Sequence, residues 1–233
     1  MQTRLDRAGA LRDKGDVDAA IREYRVVLRS KPQYAELHYN LGNALYDRGD
    51  LDEAAAEYKE ALRLKPDYTE AHYNLGNVFQ DKGDADGAIS QYLDVLYLKP
   101  DLPQAHFNLG LELDAKGALD WAIAEYREAL RLKSDYAEAH HNLGAALYSK
   151  GDVDGAIAEM REALRLKPDL AVAHYGLGIV LEFKGDKAEA RDEYQAAFRL
   201  QPDNPAFRDN YERLQREIQA VMDTHRFPGA DSV

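Results

Sequence analysis

Gly15, Gly49, Gly83, Gly117, Gly151 and Gly185 follow one another at intervals of 34 residues. A fixed period of this length belongs to stacked supersecondary units, each packing on its neighbours rather than around one central core. Pro32, Pro66, Pro100, Pro168 and Pro202 keep the same step, with Ser134 in the remaining slot. Ala20, Ala54, Ala88, Ala122, Ala156 and Ala190 do likewise, as do the Leu-Gly pairs that begin at Leu41, Leu75, Leu109, Leu143 and Leu177. The period divides the chain into repeats at 1–34, 35–68, 69–102, 103–136, 137–170 and 171–204, with 205–233 left over.

Charge and composition narrow the function classes. Thirty basic against 42 acidic residues give a net charge of −12. This balance opposes binding to nucleic acid or anionic lipid, whose surfaces are negative too. With no cysteine, disulfides, a thiolate nucleophile and cysteine-ligated metals are excluded. Met1–Lys14 alternates charge and lacks the apolar segment of a secretory signal. No apolar run approaches the ~20 residues that span a bilayer. The expectation is a soluble, cytoplasmic protein with no nucleic-acid partner and no membrane insertion.

The second repeat, Ala35 to Tyr68, shows the construction most clearly. His38, Leu41, Gly42 and Leu45 recur at steps of three and four, one stripe of a helix. Gly49 supplies the left-handed stop. Asp50 then caps a second helix, and Glu53 three residues on completes a capping-box pattern. Ala54, Tyr58, Ala61 and Leu62 form the apolar stripe of that helix, Arg63 and Lys65 suit its C-terminal dipole, and Pro66 ends it. Each repeat is thus a helical hairpin, with small residues such as Gly42 and Ala54 where its helices cross.

This pattern, from His38, Leu41, Gly42 and Leu45 through Ala54 and Tyr58 to Pro66, resembles the tetratricopeptide repeat over residues 1–204. The resemblance implies an all-α, right-handed superhelical solenoid of six helix-turn-helix repeats. Two departures stand out. Histidine replaces the family's first aromatic at His38, His72, His106, His140 and His174, and repeat one carries Arg4, Arg7 and Ala8 where an aromatic, Leu and Gly are expected. A solvated end repeat has this composition, and so does a piece cut from a longer array. After Asn204, Phe207, Tyr211, Leu214, Ile218 and Val221 keep a helical stripe, which reads as a capping helix over 205–223. The stretch from Thr224 to Val233, with Pro228 and Gly229, reads as a disordered tail.

Motifs that suggest chemistry have plainer explanations. Successive first helices lie ~10 Å apart, so the histidines cannot converge on a zinc ion that needs ligands at ~2 Å. They read as packing residues. Asp16/Asp18, Asp50/Asp52, Asp84/Asp86 and Asp152/Asp154 mimic metal-binding pairs, but Lys82 or Lys150 would stand at the first ligand position of a calcium loop. Helix capping accounts for these pairs. With no nucleophile, acid or base set, the reading is a non-enzyme with no metal and no cofactor.

If the Leu stripe faces the partner helix, the opposite face holds Glu36, Tyr39, Asn40, Asn43 and Asp47. The family resemblance implies a concave groove lined by this face, with a ligand in it. Asn40, Asn74, Asn108 and Asn142 form a column that ends at Gly176, preceded by Tyr39, Tyr73, Phe107, His141 and Tyr175. An amide both donates and accepts, so such a column can bond a peptide backbone whatever its side chains. The column resembles that of the repeat arms of peptide O-glycosyltransferases. The candidate peptide-binding set is Tyr39, Asn40, Asn43, Tyr73, Asn74, Asn77, Phe107, Asn108, Asn142 and Tyr175. A clamp for a partner's C-terminal carboxylates needs Lys or Arg where Glu36, Tyr39, Glu70, Tyr73 and Gln104 stand, so it is not expected. Glu36, Asp47, Glu70 and Asp81 suggest a ligand with basic groups toward repeats two and three. Phe107, Leu111, Ala145, Ile179 and Phe183 suggest an apolar portion toward repeats four to six. The expectation is a protein-interaction scaffold. The alternatives are the targeting arm of a larger enzyme such as a glycosyltransferase, or a self-associating repeat module.

Overall fold

The computed structural model describes residues 2–226, and every regular element among them is an α-helix. The helices pair as α1 (Gln2–Asp13) with α2 (Val17–Leu28), α3 (Ala35–Arg48) with α4 (Leu51–Leu64), and α5 (Thr69–Asp81) with α6 (Ala85–Leu98). There follow α7 (Pro103–Ala115) and α8 (Leu119–Leu132), α9 (Ala137–Ser149) with α10 (Val153–Leu166), α11 (Ala171–Lys184) with α12 (Lys187–Leu200), and α13 (Pro205–Arg226). They fall into two compact units, Met1–Ala118 with α1 to α7 and Leu119–Val233 with α8 to α13. Within each unit every helix packs on its neighbours in sequence, which gives a stack of antiparallel hairpins.

The periodic glycines carry φ between 73° and 100°, and no other residue type among those described has positive φ. At Gly49 this conformation lets Gly49 N–H reach Tyr46 O and Asp50 N–H reach Leu45 O, both at 2.9 Å. These bonds satisfy carbonyls that would otherwise be orphaned at the helix end. The chain then turns into the second helix. Asp16, Asp84 and Asp152 accept from the backbone N–H three residues on. The expected cap at Asp50 does not form, because its carboxylate is taken by Arg48.

The other acid of each Asp-x-Asp pair does not cap at all. Asp18 pairs with Arg48 at 2.8 Å, Asp52 with Lys82, Asp86 with Lys116, and Asp154 with Lys184 at 2.7 Å. Asp120 pairs with Lys150 at 2.9 Å in the same way. Each cation stands just before a helix-ending glycine, so one ion pair joins each hairpin to the next.

Three of the hairpins are built around one tyrosine, while α9 and α10 set Met160 against Gly144 in the same place. Tyr58, Tyr92 and Tyr194 are fully buried, and their rings fill the space left by Gly42, Gly76 and Gly178 on the facing helix. Leu37, Leu41, Ala44 and Leu45 complete the buried side of α3. His38, placed in this stripe by spacing, is only half-buried, and the histidines are bonded rather than merely packed. Nε2 of His38, His140 and His174 faces the carbonyls of Pro32, Ser134 and Pro168. Nδ1 of the same rings meets Glu57, Glu159 and Glu193 at 2.5–2.6 Å. In the third repeat Gln91 takes the carboxylate's place beside His72.

At His140 and His174 the two flanking acceptors favour the doubly protonated imidazolium. The bond to Glu159 raises the His140 pKa above its ordinary value, and Glu193 does the same for His174. The stability these pairs add is therefore complete below ~6.5, the free histidine value, and is lost as pH rises through the folded value. His141, which burial shifts downward, contributes with the opposite sign. Thermal midpoints of the wild type should fall more steeply from pH 6 to pH 8 than those of a His140→Gln, His174→Gln variant. Equal slopes would contradict this assignment.

α13 packs on α12 through Phe207 and Leu214, which are buried, and Arg213 bonds Glu182 of α11 at 2.8 Å. Val221, expected to face inward, is 58% exposed, and the helix runs to Arg226 rather than 223. Residues 227–233 of the expected tail lie outside the described residues.

Candidate functional site

Alternation of a buried Leu stripe with Tyr and Asn leaves the latter on one face of α3, α5 and α7. All ten residues singled out by spacing are half-buried on first helices. In the unit Met1–Ala118 they form a bonded ladder. Asn43 Oδ1 accepts from the Tyr58 hydroxyl at 2.7 Å and from Asn74 Nδ2 at 2.8 Å, and Asn74 Nδ2 also donates to the Tyr39 oxygen at 3.3 Å. One repeat on, Asn77 Oδ1 accepts from Tyr92 at 2.9 Å, and Asn108 Nδ2 donates to Tyr73 at 3.1 Å and to Asn77 at 3.4 Å. The amide donors of Asn74 and Asn108, expected to meet a ligand backbone, are thus engaged within the chain. They fix the tyrosines, and burial raises the hydroxyl pKa of Tyr73 and Tyr92 above its ordinary value.

Two adjoining recesses share Tyr39 and Asn74. One, of about 290 Å³, is lined by Tyr39, Tyr73 and Leu102 with Thr69, Glu70, Asn74, Lys99 and Gln104 around them. The other, of about 170 Å³, holds Asn43, Asn77, Tyr46, Asp47 and Arg12. Lys99 and Arg12 are cations where the periodic face carries none. Lys99 comes from the hinge after α6, and Arg12 from α1. Each is paired, Lys99 with Glu70 at 3.1 Å and Arg12 with Asp47 at 3.0 Å. A bond from its own backbone N–H, then Lys99, holds the Glu70 carboxyl below its ordinary range. Asp81 accepts the Tyr46 hydroxyl at 2.5 Å, and this pushes the phenol up to about 12.

The remaining positions are less concentrated. Asn40 lines a separate recess of about 380 Å³ with Arg12, Tyr34 and Glu36. Phe107 lies on α7 beside Asn108. In the unit Leu119–Val233, Asn142 donates to Glu138 O on its own helix at 2.8 Å. Tyr175 accepts from Asn210 of α13 at 3.1 Å and packs on Phe207. Asn210 thus supplies the contact that Asn74 and Asn108 make in the other unit. Thr69, Lys99 and Leu102 were not legible as site residues. Their signal is position in the hinges between hairpins for Lys99 and Leu102 and at the start of α5 for Thr69.

A profile for the TPR repeat matches residues 9–47, 42–83, 76–113, 112–151 and 145–185, and a tetratricopeptide repeat profile matches 171–204. No curated protein sequence matches the chain. Among solved structures, MamA is 27% identical with a TM-score of 0.66, over 70% of this chain and 95% of MamA. YrrB, described as a TPR protein with an unusual peptide-binding site, is 23% identical with a TM-score of 0.69, over 81% of this chain and 97% of YrrB. The pilF protein of Pseudomonas aeruginosa is 18% identical with a TM-score of 0.76, over 93% of this chain and 96% of its own. At the last two identities the likeness speaks for the fold alone.

Proposed function

Because the chain belongs to the tetratricopeptide repeat family, we propose that it is a protein-interaction scaffold holding an extended peptide segment on the first-helix face of the unit Met1–Ala118. The observation that carries the proposal is the recess of about 290 Å³ with Tyr39, Tyr73 and Leu102 as its apolar lining and Asn74 at its edge. Aromatic walls already fixed by hydrogen bonds lose little entropy on binding, so they suit an apolar side chain of the ligand. The role of the asparagines changes accordingly. Their donors hold the walls, and the Oδ1 atoms of Asn74 and Asn108 are left to accept a ligand N–H. Asn40, Asn43, Asn77 and Phe107 extend the face on either side of this pair. The corresponding positions of the other unit are Asn142 and Tyr175. The reading is one of binding rather than catalysis, and YrrB is a family member of similar fold described with a peptide-binding site.

Ligand charge is secondary. Arg12 and Lys99 already neutralise Asp47 and Glu70, so the preference for a basic residue is confined to Glu36 and to Asp81, which accepts the neutral Tyr46 hydroxyl. Peptides selected on the chain from a random library test the proposal. Tyr39→Ala with Tyr73→Ala should weaken their binding at least tenfold, ~1.4 kcal/mol or more, with helicity retained. Unchanged affinity would overturn the placement. A selected set with no enrichment of Lys or Arg would remove the charge preference.

A further inference from the structure

The repeats supply their own controls, and α6 fails to match them. On the outward side of α4, α8 and α10 stand Lys59, Arg127 and Arg161, then Glu60, Glu128 and Glu162, then Arg63, Arg131 and Arg165. In each, the last cation bonds the glutamate three residues before it at 2.7–2.8 Å. The same positions of α6 carry Leu93, Asp94 and Tyr97. Leu93 is 52% and Tyr97 89% exposed, so neither is core. Asp94 keeps only a 3.4 Å bond from Gln91 and lies 3.6 Å from His72 Nδ1.

The lost arginine has a defined outline. In α4, Arg63 bonds Glu60 and also reaches Gln33 at 3.4 Å. One period on, those two positions are Asp94 and Asp67. Both carboxylates line a recess of about 250 Å³ with Pro66, His72, Tyr97 and Leu98. A guanidinium placed there as Arg63 is placed would meet two acids instead of an acid and an amide.

We propose that the outer side of α6 is a docking surface for a partner protein segment that presents an arginine beside an apolar residue. The guanidinium enters between Asp94 and Asp67, the Tyr97 ring lies along its plane, and Leu93 covers the apolar neighbour. Arginine is favoured over lysine because its planar fork spans two carboxylates and stacks on an aromatic ring. This surface is separate from the first-helix face, and the two stand or fall independently.

The test uses twelve-residue peptides with a central Leu-Arg-Leu, plus versions with lysine or citrulline, titrated into the whole chain and followed by amide NMR. The arginine peptide should shift resonances around Leu93 to Leu98. It should bind at least tenfold more tightly than the citrulline peptide, with lysine between them. Tyr97→Arg supplies an internal cation at a position where Arg63 already works, so it should keep the thermal midpoint and lose the peptide. Asp94→Asn, which changes no volume, should lose it as well. Equal binding of the citrulline peptide, equal binding by both variants, or no shift at millimolar arginine peptide would overturn the proposal. Sedimentation showing self-association that Tyr97→Arg abolishes would also overturn it, by assigning the patch to a second copy of the chain.

Discussion

Tyr92→Ala should remove about 3–5 kcal/mol from the stability of the unit Met1–Ala118, the cost of deleting a large buried aromatic. The ring is fully buried, and it fills the hollow at Gly76, where a built Cβ would lie 2.7 Å from it. Its hydroxyl donates to Asn77 and receives Asn108, so one side chain ties α5, α6 and α7 together. In a stack whose stability is a sum over neighbouring repeats, damage at one junction uncouples both sides of it. Tyr92→Phe separates the two contributions. It should cost only ~0.5–1.5 kcal/mol, the ordinary net worth of a hydrogen bond. Urea titration followed by circular dichroism measures both. A loss below ~1 kcal/mol for Tyr92→Ala would mean that the junction repacks around the hole.

Two glycines two residues apart on α11 should respond to alanine with opposite signs. Alanine in a helix interior is intrinsically better than glycine by ~1 kcal/mol. At Gly178 a Cβ would stand 2.7 Å from two carbons of the Tyr194 ring and 3.3 Å from Ala190 O. Ring and backbone cannot both retreat in a packed interior, and overpacking costs ~1–3 kcal/mol or more. Gly178→Ala is therefore expected to destabilise by ~1–3 kcal/mol despite its better propensity. At Gly176 the nearest atoms are the Met160 methyl at 3.2 Å and His141 Cε1 at 3.3 Å. A thioether end adjusts easily, so Gly176→Ala should stabilise by up to ~1 kcal/mol. Thermal or urea midpoints of the pair decide the matter. Two losses of similar size would show that the Met160 side is as rigid as the Tyr194 side.

The hairpins were legible because six copies of one pattern average out local ambiguity. A glycine that must adopt positive φ and the aspartate that follows it, which caps at Asp16, Asp84 and Asp152, leave marks at fixed offsets. The roles of the polar residues were not legible to the same degree. His38 shares the spacing of core leucines, and only the fold brings Pro32 O and Glu57 to its two nitrogens. The Asn column was visible, but the engagement of its donors depends on the next helix, where Asn74 finds Asn43 and Tyr39. Arg12 and Lys99 reach the candidate face from α1 and a hinge, so a reading confined to the repeating first helices passes over them. The inter-hairpin ion pairs could have been found. Arg48, Lys82, Lys116, Lys150 and Lys184 repeat one residue before the glycines, each 30 residues after its aspartate.

The placement of the ligand is tested most directly by mapping a selected peptide on the isotope-labelled chain by amide NMR. The largest shifts, and contacts from the peptide to side chains, should centre on Tyr39, Tyr73, Asn74 and Gln104, and should vanish with Tyr39→Ala and Tyr73→Ala. A peptide that binds with its contacts confined to the second helices or to the ends of the stack would contradict the proposed function.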